Sequence, residues 1–280
     1  MAYTKLIPRY TPGAKVEEIS GGEHHKAYRL SISAGQAHKY RLAQLDDYPQ
    51  PKRSQFPWRS PLTLTLSART SSDSLPGTWG FGLWNDPFGL SLGFGGNRLR
   101  LPTLPNAVWF FGASKENYLS FKGGQPQGSV PTFAANGFLA QVFRSPRFHP
   151  LLIPAGLALP FSRKRTRRLM GKIIEEDGIN LSSERSLAPS ALDAFGSALY
   201  TKINVTQWHR YRLDWRENGV SFEVDDVQIF ESRVSPNPPL GLVIWIDNQF
   251  AAFTPAGKIG FGVLENPEPA WLEIKDIDVR

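Results

Sequence analysis

The sequence contains no cysteine and no long uninterrupted apolar run. The absence of thiols excludes disulfide bridges, thiolate catalysis, iron–sulfur clusters and zinc sites built on cysteine. The longest apolar stretch, residues 151–161, is interrupted by two prolines. Residues 1–10 contain no apolar segment of the length that a signal peptide or a membrane span needs. We therefore expect a cytoplasmic protein, with membrane association as the alternative.

Charge is sparse and unevenly distributed. Charged residues make up 20% of the 280 residues, and five of the seven net positive charges lie within residues 163–168. A nucleic-acid-binding protein usually spreads lysine and arginine along one face, with aromatic residues between them. We therefore predict no nucleic-acid partner. Hydrophobic residues reach 41% and aromatic residues 12%, a composition too apolar for a wholly disordered chain.

Most of the chain consists of short segments in which apolar and polar residues alternate. These segments end at Gly, Pro, Asn or Asp, and the chain has 25 Gly and 23 Pro. This pattern is typical of an all-β protein, and eleven strands imply two sheets packed face to face. The more polar first fifty residues should form an edge of that sandwich. The predicted strands are 28–33, 62–69, 79–84, 107–111, 118–121, 210–215, 220–224, 227–231, 242–247, 258–263 and 271–279.

The alternation is lost between residues 133 and 201. Leu169, Ile173 and Glu176 recur at helical spacing and predict a helix over 165–176, and a second helix is predicted over 189–200. We therefore expect one β-sandwich domain spanning 1–280 with a partly helical, lid-like insertion at about 133–201.

The apolar part of this insertion, 151–161, lies beside the five cations of 163–168. Three interpretations fit this arrangement. The segment is a lid over an open cleft, a packed excursion with a solvated basic face, or a peripheral contact with anionic lipid through 151–168.

Two consecutive segments near the C-terminus carry a family resemblance. Residues 208–215 read Trp-His-Arg-Tyr-Arg-Leu-Asp-Trp, and residues 218–226 read Asn-Gly-Val-Ser-Phe-Glu-Val-Asp-Asp. Together they resemble two outer strands of glycoside hydrolase family 16, in the concanavalin A-like lectin/glucanase superfamily. Residues 66–84, 240–250 and 271–280 resemble other strands of that family. The resemblance implies a concanavalin A-like jelly-roll β-sandwich with an open cleft.

The catalytic carboxylates of that family are missing from the matching strand. The family hydrolyses glycans with two glutamates flanking an aspartate at alternate positions, so that all three face the cleft. The corresponding strand here, 105–112, has Pro105, Ala107 and Trp109 at those positions. We therefore predict that the hydrolytic activity is lost.

The alternation of strand residues then assigns a cleft face. In 242–249, Leu242, Ile244 and Ile246 should face the core, and Trp245, Asp247 and Gln249 the cleft. The same reasoning places Leu83 on the cleft side with the predicted ligand-binding residues. The alternative to a role in ligand binding is a structural role. In that case Trp109 and Trp245 belong to the core, and Arg69 forms an ion pair with Asp247. The predicted ligand-binding residues are Arg69, Phe81, Asn85, Trp109, Phe111, Trp245, Asp247 and Gln249.

An apolar wall with a few polar groups is typical of a small-molecule pocket, and flat aromatic rings also stack on sugars. We expect a carbohydrate-binding protein, with no cofactor and no metal site. The alternative is an enzyme that cyclises, isomerises or hydrates an apolar metabolite, with Asp247 as acid or base at a pKa raised by burial. A third interpretation is a structural or partner-binding sandwich without a ligand.

Overall fold

The computed structural model describes residues 5–20, 26–48, 52–87, 103–121, 136–146, 163–182, 185–186, 199–200, 202–254, 256 and 258–280. Eighteen strands, a helix and a short 3-10 turn (Arg53–Gln55) lie within these ranges. The helix is α1 (Arg163–Ile173). The strands are β1 (Ile7–Tyr10), β2 (Ala14–Ser20), β3 (Ala27–Ile32), β4 (Leu42–Asp46), β5 (Leu62–Thr70), β6 (Thr78–Trp84), β7 (Ala107–Ala113), β8 (Gly137–Arg144), β9 (Glu175–Asn180), β10 (Arg185–Ser186), β11 (Leu199–Tyr200), β12 (His209–Arg216), β13 (Gly219–Val224), β14 (Val227–Ser232), β15 (Gly241–Asp247), β16 (Gln249–Phe253), β17 (Ile259–Val263) and β18 (Ala270–Val279).

Two seven-stranded antiparallel sheets form a sandwich. The front sheet has the order β1-β4-β15-β6-β7-β8-β9, and the back sheet has the order β14-β13-β12-β5-β18-β3-β2. The chain passes repeatedly from one sheet to the other, for example from β4 in the front to β5 in the back and to β6 in the front. Such crossings are those of a jelly roll, so the predicted all-β jelly-roll sandwich is confirmed.

The inner faces of the two sheets enclose an apolar core. Alternate residues of β5 are buried along its whole length, as expected for a strand with one face in the core. Phe110 of the front sheet meets Phe222 and Tyr211 of the back sheet edge-on, at centroid distances of 5.2 and 4.9 Å. This packing gives the front sheet a firm support, and its outer face is available for a site.

Ten of the eleven predicted strands are present, with ends displaced by at most two residues. The predicted strand 118–121 is wrong: Tyr118 forms an isolated bridge with Ala252 instead, because this segment crosses the outer face of the front sheet. The predicted edge is confirmed, since β1 and β2 are edge strands of the front and back sheets.

Two strands of the front sheet lie inside 133–201, where we predicted a partly helical, lid-like insertion. β8 pairs with β7 along its length, and β9 pairs with β8. We predicted neither of these strands. β8 is buried on both faces, so its sequence is nearly continuous in apolar residues rather than alternating.

The predicted helix 165–176 is found as α1, but it ends at Ile173, and Glu176 belongs to β9. The apolar segment 151–161 lies outside the described residues, as does most of the predicted helix 189–200. The last two residues of that predicted helix form β11 instead.

Candidate functional site

The outer face of the front sheet carries a pocket of about 550 Å³. This volume is of the size that holds a small organic molecule. Strands β4, β6, β7 and β15 form its floor, and the β16–β17 hairpin, the segment 117–121 and α1 form its walls. Floor residues include Leu42, Gln44, Trp84, Trp109, Phe111, Trp245 and Asp247, and wall residues include Tyr118, Leu119, Phe121, Met170, Phe250, Phe253, Ile259 and Phe261.

Aromatic rings packed on one another dominate the floor. Trp84 stacks on Trp245 with a centroid distance of 6.1 Å and an interplanar angle of 4°. Trp109 and Phe111 lie 5.7 and 5.3 Å from the ring of Trp245. The indole Nε1 of Trp245 donates a hydrogen bond to Thr78 Oγ1 at 3.0 Å. The floor is therefore rigid and apolar.

Glycines of β6 make room for these rings. A Cβ atom on Gly80 would lie 2.8 Å from Cη2 of Trp245, and one on Gly82 would lie 2.6 Å from Cβ of Trp109. Real side chains do not approach so closely, so the neighbouring tryptophans can lie over β6 only because these positions lack a side chain. The alternation of glycine with large apolar residues in 79–84 thus builds the pocket floor.

The predicted placement of Phe81 and Leu83 in the cleft is wrong. Both belong to the core between the sheets, where Phe81 lies 5.0 Å from the ring of Tyr211. The pocket face of β6 is the face with the glycines. We assigned the large apolar side chains of this strand to the cleft, whereas a face covered by rings from neighbouring strands requires small residues.

Asn85 is buried and binds backbone instead of lining the pocket. Its Nδ2 donates to Leu104 O at 2.9 Å, and its Oδ1 accepts from Asn106 N at 3.0 Å. These bonds join the end of β6 to the start of β7. The predicted cleft position of Asn85 is therefore wrong.

Arg69 lies on the other sheet. β5 pairs with β12 and β18, and the side chain of Arg69 points away from the core on the outer face of the back sheet. Its Nε donates to Glu273 Oε2 at 2.7 Å, and its guanidinium lies over the ring of Trp208 at 4.9 Å. The predicted cleft position and the alternative ion pair with Asp247 are both wrong.

Trp245, Asp247 and Gln249 all line the pocket, as do Trp109 and Phe111. Leu242, Ile244 and Ile246 face the core. The predicted division of β15 into two faces is therefore confirmed. The role of these five pocket residues in binding a ligand stays a prediction.

Asp247 is buried at the end of β15, with 7% of its surface exposed. Its Oδ1 accepts hydrogen bonds from Thr78 Oγ1 at 2.7 Å, Thr78 N at 3.2 Å and Gln249 N at 3.2 Å. Its Oδ2 accepts a longer bond of 3.4 Å from the hydroxyl of Tyr40. Burial raises the pKa of Asp247 to about 7, although these hydrogen bonds work in the opposite direction.

Gln249 lines the same pocket as Asp247 and carries an amide donor. Its Nε2 is buried, and within the described residues it has no hydrogen-bond acceptor. A buried donor without an acceptor costs roughly 1–3 kcal/mol. An oxygen atom of a bound molecule would remove that cost.

The walls contain residues that our reading of the sequence missed. We continued the alternation of β15 as far as Gln249, but β15 ends at Asp247 and a separate hairpin begins at Gln249. The buried side chain of Asn248 fixes this change of direction, since its Oδ1 accepts from Arg41 N at 2.8 Å and its Nδ2 donates to Leu264 O at 2.8 Å. Phe250 and Phe253 were the feature of the sequence that could have indicated an apolar pocket wall in this segment.

Arg167 joins the helix to the other walls. Its Nε donates to Phe253 O at 2.7 Å, and its Nη2 donates to Ser120 O at 2.8 Å. The backbone N–H of Phe121 donates to Glu176 Oε2 at 2.8 Å. One of the five clustered cations is therefore buried in the wall, while the other four are exposed.

Two further observations concern the described part of the chain. No group of three or more His, Asp or Glu side chains there is arranged to hold a metal ion. No helix in those ranges is long and apolar enough to cross a bilayer.

The sequence matches no protein-family model and no curated protein. Several solved structures are similar over nearly the whole chain. A glycoside hydrolase family protein from Mycobacterium thermorestibile is 15% identical, with a TM-score of 0.42 and coverage of 100% of this chain and 94% of that one.

A β-1,3-glucanase from Mycobacterium marinum is 14% identical, with a TM-score of 0.41 and coverage of 99% and 91% of the two chains. A glycosyl hydrolase family 16 protein from Mycobacterium smegmatis is 12% identical, with a TM-score of 0.39 and coverage of 100% and 94%. The likeness concerns the fold, and at these scores nothing about activity follows from it.

Proposed function

We propose that the protein binds a largely apolar small molecule in the front-sheet pocket, with a polar group of that molecule at Asp247 and Gln249. The observation that carries this proposal is the distribution of polarity in the pocket. Indole and phenyl rings form most of the floor and walls. Asp247 and Gln249 both line the pocket, and Nε2 of Gln249 has no hydrogen-bond acceptor among the described residues. Such walls with a few convergent polar groups are typical of small-molecule sites.

The physical basis for affinity is the removal of apolar surface from water. Each square ångström of apolar surface that a ligand buries contributes roughly 25 cal/mol, from which the cost of association is subtracted. The floor is held in place by its own ring contacts, so little ordering of side chains is required on binding. The polar end then determines how the ligand is oriented.

Carbohydrate binding is the second candidate. The observation in its favour is that the flat rings of Trp109 and Trp245 line the pocket, and such rings stack on sugar faces. Sugars also need a hydrogen-bond partner for most hydroxyl groups. Oδ1 of Asp247 is already engaged by three donors of the protein, so this region offers few partners to a sugar.

The test compares two classes of ligand by thermal shift on the full chain. One class contains oxygenated terpenoids and fatty-acyl compounds, and the other contains β-glucan and galactan oligosaccharides. A ligand at a hundred times its dissociation constant adds about 2.7 kcal/mol of stability, which is a clear rise in melting temperature. We expect stabilisation by the apolar class. Stabilisation by oligosaccharides alone would establish the second candidate instead, and no shift with either class would contradict both.

A pocket-filling variant locates the site. Ala252 lines the wall on β16, so Ala252→Trp should fill part of the cavity and weaken binding at least tenfold. Lys258 is exposed in the turn of the same hairpin and is not a lining residue, so Lys258→Trp is the matched control and should bind normally. Equal affinity of the two variants would place the ligand elsewhere.

A further inference from the structure

We propose that Asp247 and Gln249 form a proton-transfer site, at which the carboxyl group moves a proton between two carbon atoms of a bound carbonyl compound while the amide of Gln249 holds the carbonyl oxygen. The substrate class is an apolar ketone or aldehyde with a carbon–carbon double bond one carbon removed from conjugation. This inference rests on the proposed function, because it requires an apolar molecule seated in the pocket.

The two oxygens of Asp247 have different environments. Oδ1 is held by three donors at 2.7 to 3.2 Å, whereas Oδ2 accepts one long bond of 3.4 Å from Tyr40 within the described part of the chain. Oδ1 therefore fixes the orientation of the carboxyl, and Oδ2 has the capacity to take and return a proton. A general base needs such a fixed position within reach of the proton it abstracts.

Gln249 supplies the second component. Its Nε2 is buried without an acceptor among the described residues, and its backbone N–H contacts the carboxyl of Asp247 at 3.2 Å. A fixed donor in a water-poor site stabilises an oxygen atom on which negative charge develops. The donor and the base thus belong to two residues that line the same pocket, and removal of a proton next to a carbonyl requires both groups.

The surroundings of Asp247 bring the pKa of its carboxyl group close to neutral pH. Burial raises its pKa to about 7, so at neutral pH both the ionised and the protonated forms are populated. The ionised form accepts the proton and the protonated form returns it. Tyr40 is the titratable group in contact with the carboxyl, and Arg9 and Asp86 are charged groups that line the same pocket.

The reaction is balanced without a co-reactant. Oδ2 takes the proton from the carbon between the carbonyl and the double bond, and the electron pair of that C–H bond moves to form a dienolate whose oxygen binds Nε2 of Gln249. The proton then passes from Oδ2 to the far carbon of the original double bond. A new C–H bond forms, the carbonyl is restored in conjugation, and the carboxylate is regenerated.

The experiment uses the full chain with cyclohex-3-en-1-one and a bicyclic β,γ-unsaturated octalone as probes. Conversion is followed by the ultraviolet absorbance of the conjugated enone, and deuterium uptake from D₂O is followed by NMR. We expect conversion above the buffer rate, with a rate that rises with pH, is half-maximal near the pKa of Asp247 and levels off above it. Asp247→Asn should lose at least a hundredfold in rate and Asp247→Glu should recover part of it. Gln249→Ala should lower kcat about tenfold with a smaller change in KM.

Asp226→Asn is the control, because it removes the same charge far from the pocket. Asp226 is exposed in the turn between β13 and β14 of the back sheet. It should convert the probes at the normal rate. Thermal shift with each probe is measured in parallel. Binding without conversion or deuterium uptake in the natural protein would overturn the proton-transfer proposal and leave the binding proposal intact, whereas the absence of binding would overturn both.

If Asp247→Asn fails to fold, the pH profile of the natural protein still decides. A rate that does not depend on pH between 5 and 8, or full conversion by a folded Asp247→Asn, would exclude Asp247 as the proton carrier.

Discussion

Asp247 combines deep burial with incomplete hydrogen bonding of its carboxyl group. Three donors hold one oxygen, yet burial still raises the pKa to about 7 from an ordinary value of 3.8. The folded state therefore binds the carboxyl proton more tightly than the unfolded state does. Stability from this group is fully present below pH 4 and is lost as the pH rises to about 7.

Asp247→Asn should flatten this pH dependence. The natural protein should lose about 1.4 kcal/mol of unfolding free energy per pH unit from this group between pH 4 and 7, and the variant should not. Urea unfolding across that range measures the slopes. Burial also raises the pKa of Asp47, to about 6. The variant should therefore keep a smaller slope at the acid end of the range, where Asp47 titrates. Identical slopes in both proteins would show that Asp247 is not the titrating group.

Gly112 gives a second test at a single position, on the core side of β7. A Cβ atom there would lie 2.0 Å from Nε1 of Trp79, whose ring is stacked on Phe138 at 5.0 Å. Overpacking of this kind costs about 1–3 kcal/mol. Gly112→Ala should lower the unfolding free energy by that amount in urea titrations.

Gly260→Ala is the matched control for Gly112→Ala. The added Cβ would meet Phe250 at 3.5 Å, which is an ordinary contact. Its stability should stay within about 0.5 kcal/mol of the natural protein, as for most surface substitutions. If the two variants were equally stable, Trp79 would have room to move, and the tight packing described for this part of the core would be wrong.

The β16–β17 hairpin depends on α1 for its position over the pocket. Arg167 donates to backbone carbonyls of Phe253 and Ser120, and a buried carbonyl left without its donor costs roughly 1–3 kcal/mol. Arg167→Met should therefore speed hydrogen exchange in 117–121 and 249–263 and weaken ligand binding. Arg168→Met, at the exposed neighbouring position, should change neither. Unchanged exchange in Arg167→Met would mean that the hairpin holds its position without the helix.

Residues between the two sheets should determine stability, and residues around the pocket should determine binding. Phe110 packs between the sheets, whereas Phe261 lines the pocket and is 58% exposed. Phe110→Ala should lower the unfolding free energy by about 3–5 kcal/mol and leave ligand affinity near normal while the protein is folded. Phe261→Ala should weaken ligand binding and lower the unfolding free energy only a little. Titration calorimetry and urea unfolding of both variants check this, and a loss of both properties in either variant would contradict the separation.

Prediction from the sequence succeeded where one strand face is clearly apolar and the other is not. Leu242, Ile244 and Ile246 alternate with Trp245 and Asp247, so the division of β15 was correct. It failed on β6, because large apolar residues fill one face and glycines mark the other. The strand β8 was missed because both of its faces are buried and its sequence does not alternate.

Local pattern established the β-strands, their two faces and the all-β class, because side chains alternate along any extended backbone and hairpin turns are read from neighbouring residues. The sheet to which each strand belongs depended on pairing between residues far apart in the chain. Arg69 alternates as expected, yet β5 pairs with β12 and β18 and carries it to the back sheet. The pocket arises from the same long-range contacts, since Tyr40, Thr78 and Gln249 meet at Asp247 only once β15, β6 and the hairpin are packed together.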